Sequence, residues 1–121
     1  MDVYSKRFIV GENDTAKAVG SGDLPILATP VMLAMAENTA KEFLHKELAE
    51  EETSVGTKIE SKHIRPSLVG TELTVNVTWK TQEKSKIDFS FEVLDGTDLV
   101  AAGTHQRAVV LIDVFMGKLR K

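Results

Sequence analysis

The sequence predicts an α+β fold in which antiparallel strands pack against one long helix. Three observations favour it: a single long segment with helical character, a change from helical to strand periodicity after that segment, and short connections between the strand-like runs. A chain of 121 residues is below the length at which a hydrophobic core usually divides. We therefore expect one domain over residues 1–121.

The chain begins with a short predicted strand over residues 4–10 (YSKRFIV). Residues 11–27 follow, and their glycines and proline predict an irregular, lid-like connection in which only residues 15–19 could form a helix. The long helix is predicted from Thr29 to about Leu48, because threonine is a favoured N-cap residue and proline, here Pro30, is favoured at the first helical position.

The apolar pattern of this helix changes along its length. Its first two turns, residues 31–36, are apolar on all sides, which is typical of a helix enclosed by protein. The second half has one apolar side and one polar side. The helix is therefore expected to begin in the core and to end near solvent.

After an acidic segment at residues 50–52, the period of the pattern becomes two. The first run, residues 55–64, places Val55, Ile59 and His63 on one face and Gly56 on the other. Three further strands are predicted, two with strict alternation and a last one that follows a DGTD turn; they cover residues 73–80, 86–93 and 99–112.

A curved antiparallel sheet wrapped around one long central helix is the hotdog arrangement, and the predicted order of elements fits it. One such layer leaves the sheet edges and part of its outer face unprotected. Pairing of subunits is the usual remedy, so we expect a homodimer or a higher homo-oligomer.

Composition narrows the function classes. The net charge of −3 disfavours binding to a nucleic-acid backbone, and no apolar stretch is long enough to span a membrane. The chain has no cysteine, which excludes disulfides, thiolate zinc sites and cysteine nucleophiles. Metal ligands are not clustered, so neither a metal nor a cofactor is expected. We expect a cytoplasmic protein.

Glu37 interrupts the helix directly after its apolar half and admits two interpretations. It can open a solvated face and pair with Lys41 four residues on. Alternatively it is a carboxylate in an apolar cleft, where desolvation favours the neutral form and makes it a usable base or nucleophile.

The three histidines have different surroundings in the sequence. His45 lies among charged residues on the polar side of the helix and is expected to be solvated. His63 ends a strand, where it can be a hydrogen-bonded residue at the core edge or an acid–base residue facing a cleft. His105 shares a strand face with Ala101 and Arg107, and a structural role is expected for it.

The helix start and one glycine add candidates for substrate binding. A helix capped by Thr29 presents free backbone N–H groups from Val31 and Met32, since Pro30 has none, and such groups can stabilise an oxyanion. Gly56 suits a close approach of backbone to ligand, although a structural bulge is an equally good interpretation.

Several elements stand at a fairly specific spacing: Ala28-Thr29 at the helix start, Glu37 eight residues after Thr29, SVGT at residues 54–57, His63, and GTHQRAV at residues 103–109. Taken together, these elements resemble the fluoroacetyl-CoA thioesterase family of hotdog enzymes over residues 4–118. The resemblance implies catalytic roles for Thr29, Glu37 and His63, a thioester contact for Gly56, and hydrolysis of an acyl-CoA to a carboxylate and free CoA.

On this interpretation Glu37 attacks the thioester or activates a water, His63 is its acid–base partner, and Thr29 orients Glu37 or the water. Eight helical residues rise by about 12 Å, so Thr29 cannot reach Glu37 of its own subunit along an unbroken helix. Either the helix starts late or two subunits share the site.

Two other functions use the same fold. One is a non-catalytic acyl-CoA binding or sensing module in which the polar residues only line a cleft. The other is a hydratase or dehydratase acting on enoyl or 3-hydroxyacyl thioesters, which also uses a carboxylate and a histidine. The spacing of Glu37 and His63 is more similar to that of the thioesterases.

One departure from the family predicts substrate preference. The fluoroacetate-specific member carries phenylalanines in the segment before the helix, where they form a hydrophobic lid, whereas residues 20–25 here (GSGDLP) contain none. We expect fluoroacetyl-CoA to be preferred over acetyl-CoA by less than about 100-fold in kcat/KM. Steady-state kinetics with both substrates measures this ratio, and a larger preference would contradict the inference from the lid.

Overall fold

The computed structural model describes residues 2–120. None of the helices in this range is long and apolar enough to cross a membrane. In chain order the elements are β1 (Val3–Ile9), a 3-10 turn (Glu12–Asp14), α1 (Ala16–Val19), α2 (Thr29–His45), β2 (Glu52–His63), β3 (Glu72–Glu83), β4 (Lys86–Asp95), β5 (Asp98–Leu111) and α3 (Ile112–Leu119).

The five strands form one antiparallel sheet in the order β1-β3-β4-β5-β2, with α2 packed on one face. Buried core residues alternate with more exposed residues along β3 and β4, as a sheet with one dry face requires. The α+β prediction is confirmed. The largest fully buried side chains are Phe89, Met32, Leu44, Leu73, Ile87, His105, Val10, Val75, Val77, Val93, Val100 and Thr39.

The start of α2 differs by one residue from the prediction. Ala28 occupies the N-cap with extended backbone, and Thr29 is the first helical residue. Pro30 follows at the second position, where the absent N–H has no helical partner to lose. The prediction that Thr29 caps the helix is therefore wrong, and its hydroxyl is available for another contact. The helix ends at His45, before the predicted Leu48.

The register of β2 shifts by one residue between Gly56 and Lys58. Strict alternation had placed Gly56 on the face opposite Ile59 and His63. Because a bulge adds one residue to a strand, it exchanges the two faces beyond it. Gly56 now lies opposite Arg107 of β5 and beside α2, on the same side of the sheet as Ile59 and His63. The predicted face assignment is wrong before the bulge.

The C-terminal helix α3 was not predicted. The last strand was expected to reach Ile112, but β5 ends at Leu111 and the chain continues directly into α3. This helix exposes several apolar side chains, including Val114 and Leu119. Short apolar runs without turn residues do not distinguish a strand from a helix, which explains the missed boundary.

Candidate active site

Thr29 and His63 form the first part of the candidate site. Thr29 begins α2 and His63 ends β2, and the Thr29 Oγ1 atom lies 2.8 Å from His63 Nδ1. Both residues line a cavity of about 550 Å³, together with Ile26 and Arg65. The fold thus brings a hydroxyl and an imidazole into hydrogen-bond contact at the edge of a space large enough for part of a substrate.

The electrostatics of His63 favour its neutral form. Burial lowers the pKa of His63 below its usual value of 6.5, and a backbone hydrogen bond with Arg65 opposes this only in part. A neutral imidazole can accept a proton, and the hydroxyl of Thr29 is the group within reach of Nδ1. A hydroxyl beside a neutral imidazole is the pairing by which enzymes activate a weak nucleophile.

Glu37 lies two turns further along α2 and faces β2. Its Oε2 atom is 2.9 Å from the position that a Cβ atom on Gly56 would occupy. None of the ion pairs found within residues 2–120 joins Glu37 to Lys41. Glu37 is half-buried against the sheet, so the interpretation as a solvated helix residue paired with Lys41 is wrong.

A buried guanidinium lies beside the same point. Arg107 on β5 is 7% exposed, and its Nη1 atom is 3.5 Å from the position of the absent Gly56 Cβ. It donates through Nε to Ser54 Oγ (2.8 Å), through Nη2 to the Ser54 carbonyl (3.0 Å), and through Nη1 to His105 Nε2 (3.1 Å). Burial lowers the pKa of Arg107, but the nearby charge of Glu37 opposes the effect, and an arginine remains protonated.

Sequence reasoning did not select Arg107 as a site residue. The available signal was its place on the same strand face as Ala101 and His105, because an arginine on the dry face of a strand needs partners for its charge. His105 was given a structural role. The structure buries it fully and places it in contact with Arg107.

Gly56 combines the two roles considered for it. It borders the bulge of β2, and it also lets the Glu37 carboxylate approach the strand backbone closely. A side chain at this position would displace Glu37. The site therefore depends on a residue without a Cβ atom here.

The helix start offers one candidate oxyanion donor rather than two. The Met32 N–H donates to the Ala28 carbonyl at 3.0 Å, so the expectation that this N–H is free is wrong. Val31 is the third helical residue, where an α-helix supplies no carbonyl partner for the N–H. Val31 is half-buried, and its side chain packs against the hydrophobic core.

One chain does not bring all three predicted catalytic residues together. Because α2 is unbroken from Thr29 to His45, Glu37 lies about 12 Å along the axis from Thr29. A late helix start, one of the two possibilities left by the sequence, is excluded. Thr29 contacts His63, whereas Glu37 faces Gly56 and Arg107.

No cluster of three or more metal-ligating side chains occurs within the part of the chain that the structure describes. The arrangement can instead supply a nucleophile, a base and a carboxylate from ordinary side chains.

The lowered pKa of His63 can be measured directly. We expect its ring to titrate below 6.5 in an NMR pH titration, since the partly buried ring binds a proton less tightly than it does in the unfolded chain. This group then lowers the free energy of unfolding as pH falls through 6.5. Thr29→Val is the matched control: it removes the hydroxyl but leaves the ring buried, so the titration should stay low. Titration of wild-type His63 above 6.5 would contradict the prediction.

Comparison with known proteins shows to which family the chain is related. The model of the fluoroacetyl-CoA-specific thioesterase family matches residues 10–113. A curated relative, the fluoroacetyl-CoA thioesterase of Streptantibioticus cattleyicolor, is 28% identical over 96 residues, which cover 79% of this chain and 69% of the relative.

Solved structures show the same fold. A fluoroacetyl-CoA thioesterase superposes with a TM-score of 0.92 at 25% identity, covering 98% of this chain and 93% of the other. A hot-dog-like protein from Thermanaerovibrio acidaminovorans gives a TM-score of 0.88 at 26% identity, covering 97% and 87%. A thioesterase superfamily member from Thermus thermophilus gives 0.87 at 19%, covering 98% and 90%. The chain therefore has the predicted hotdog fold and belongs to the fluoroacetyl-CoA-specific thioesterase family, which makes it an acyl-CoA thioester hydrolase.

Proposed function

We propose that this protein hydrolyses a short- or medium-chain acyl-CoA to a carboxylate and CoA, at a site shared by two protomers. The observation that carries the proposal is the 2.8 Å contact between Thr29 Oγ1 and His63 Nδ1 beside a cavity of about 550 Å³. The family supplies the reaction class, and this contact supplies a nucleophile and a base for it.

The reaction has two half-steps if Thr29 is the attacking group. Its oxygen bonds to the thioester carbonyl carbon while its proton passes to His63 Nδ1. The C–S bond then breaks, and the CoA sulfur takes the proton from His63. Water hydrolyses the resulting threonine ester, with His63 accepting a proton from the water and returning it to the Thr29 oxygen.

Glu37 provides the second possibility. Its carboxylate either removes a proton from an attacking water or attacks the thioester directly, giving a mixed anhydride that a water deprotonated by His63 then hydrolyses. In both routes the C–S bond breaks, and the proton taken from the water passes through His63 to the CoA sulfur. Its place two turns from Thr29 means that it must come from the partner protomer to meet the Thr29–His63 pair. In either case the Val31 N–H can stabilise the oxyanion, and Gly56 leaves room for the thioester beside the strand.

The acyl group is proposed to differ from fluoroacetyl. Ser21 and Ala16, which are small residues, line the cavity next to Thr29 from the side of the lid segment. Without bulky aromatic side chains on that side, the cavity is less enclosed around a two-carbon acyl group and has room for a longer one. An assay of thiol release over a panel of acyl-CoA chain lengths identifies the preferred substrate.

A homodimer or higher homo-oligomer is part of this proposal. β2 forms one edge of the sheet, and along its 12 residues it pairs with β5 on one side only, as far as residues 2–120 show. An edge strand of this length favours pairing with another copy. The Thr29–His63 pair of one protomer and the Glu37–Gly56 pair of the other would then form one site across the interface.

The proposal also keeps three expectations from the sequence. They are a single catalytic domain over residues 1–121, a cytoplasmic location, and a reaction that uses acyl-CoA and water without a metal, a cofactor or a nucleic acid. The hydroxyl, imidazole and carboxylate side chains already present supply each proton transfer that the reaction needs.

Glu37→Gln tests the role of the carboxylate. It keeps the size and polarity of the side chain but removes the basic oxygen, so kcat should fall by about 100-fold or more with the fold intact. His63→Ala should have a similar effect, and the double variant should lose much less than the product of the two. Glu50 is an exposed acidic residue beyond α2, so Glu50→Gln is the matched control and should keep full activity.

Trapping the acyl-enzyme intermediate shows whether Thr29 or Glu37 attacks the thioester. Acid quenching during turnover of a slow substrate, followed by peptide mass analysis, should place the acyl group on the peptide containing Thr29 if the hydroxyl attacks. An acyl group on Glu37 would assign the attack to the carboxylate. Wild-type turnover by Glu37→Gln, with an unchanged melting temperature, would remove Glu37 from the mechanism.

Mixing two inactive variants tests the shared site. Thr29→Val and Glu37→Gln protomers, refolded together in equal amounts, should recover about a quarter of wild-type activity. Half of the dimers are then mixed, and each mixed dimer has one site with both residues intact. Each variant refolded alone is the control. If the mixture stays as inactive as the separate variants, the site lies within one protomer.

A further inference from the structure

His105 is a buried titratable residue that the proposed reaction leaves without a role. It is 2% exposed, and both ring nitrogens have partners. Nδ1 lies 2.8 Å from the Lys58 carbonyl oxygen, and Nε2 lies 3.1 Å from Arg107 Nη1. The ring therefore connects β2, at the bulge, with a buried cation beside Glu37.

We propose that His105 is a positioning residue of the active site, whose neutral ring holds the Arg107 guanidinium in the orientation that faces Glu37 beside Gly56. The proposal rests on the proposed function, because it is there that Glu37 acts. His105 does not line the cavity beside Thr29. Its Cε1 atom lies 3.3 Å from the position of the absent Gly56 Cβ, but Lys58 and Arg107 occupy both ring nitrogens, so its hydrogen bonding would reach Glu37 only through Arg107.

The hydrogen bonds determine the tautomer. A carbonyl oxygen only accepts, so Nδ1 must carry the ring proton that it donates to Lys58. Nε2 is then an acceptor for the N–H of Arg107 Nη1. A protonated ring would point an N–H at the guanidinium, and this contact would be lost. Only the neutral ring with its proton on Nδ1 satisfies both partners.

The charges around the ring support the neutral form. Burial is the main cause that lowers the pKa of His105, and the positive charge of Arg107 lowers it further. The Lys58 carbonyl and the negative charge of Glu37 act in the opposite direction. From β4, the neutral ring of Phe89 stacks on His105 with centroids 6.4 Å apart. The net shift is downward, so the ring is neutral at pH 7.

Three contacts share the task of orienting Arg107. Ser54 holds Nε and Nη2 through its side chain and its carbonyl, and His105 holds Nη1. Nη1 is the nitrogen close to the space beside Gly56. Since an arginine side chain has several rotatable bonds, loss of the His105 acceptor would leave Nη1, the nitrogen beside Gly56, without a defined partner.

A pair of substitutions separates positioning from packing. His105→Gln can donate to Lys58 and accept from Arg107, whereas His105→Leu fills space but does neither. We expect His105→Leu to lower kcat by 10-fold or more and His105→Gln to stay within about 3-fold of wild type. His45→Leu, at an exposed position on α2, is the matched control and should keep full activity.

The effect should disappear when Arg107 is absent. In an Arg107→Met background, His105→Leu should change kcat by less than about 2-fold, because the group that it positions has been removed. A loss of 10-fold or more in that background, or wild-type kcat for His105→Leu alone, would overturn the proposal. Melting temperatures and oligomeric state of all variants are compared to confirm folding.

A spectroscopic measurement on the wild-type protein tests the role of His105 without enzyme turnover. Its result holds even if the proposed function is wrong or a variant fails to fold. Nitrogen-15 NMR of the wild-type protein at pH 7 should show His105 neutral with its proton on Nδ1. A proton on Nε2, or a cationic ring, would overturn the proposal. If the wild type hydrolyses no acyl-CoA in the panel, the proposed function is wrong, and the NMR result still decides whether His105 holds Arg107.

Discussion

The one-residue register shift in β2 between Gly56 and Lys58 is the feature on which the candidate site depends. Side chains on a strand alternate between faces, so an added residue exchanges the faces on one side of it. The shift lets Gly56 face Glu37 while His63, seven residues later, still faces Thr29. With regular alternation, one of these two contacts would be lost, since both use the face towards α2.

A buried charge network forms around this shift. Arg107 is almost fully enclosed, and an unpaired buried charge costs several kcal/mol. Ser54 and His105 accept hydrogen bonds from three of its N–H groups, and Glu37 supplies a negative charge close by. The absence of a side chain on Gly56 is what allows the carboxylate and the guanidinium to approach the same point. The charge network around Arg107 therefore depends on the absence of a side chain at Gly56.

The stiffness of α2 sets the second constraint. An unbroken helix keeps Thr29 and Glu37 at a fixed separation of about 12 Å along its axis, and no side-chain movement removes a distance of that size. In the proposed dimer, a second copy of the protein would cover the edge that β2 leaves unpaired within residues 2–120 and would complete the site on each chain. Under that proposal, assembly and catalysis would be coupled.

The sequence by itself determined the α+β class, the long helix from Thr29 and the alternating faces of β3 and β4, because periodicity and turn residues are local signals. Thr29, Glu37 and His63 were selected through resemblance, since periodicity assigns a face but not a role. Only the tertiary structure decided that Thr29 contacts His63, that Gly56 lies beside Glu37, and that Arg107 lies beside Gly56. These contacts depend on a bulge and join residues far apart in the sequence, 53 positions for Ser54 and Arg107, and no local pattern records them.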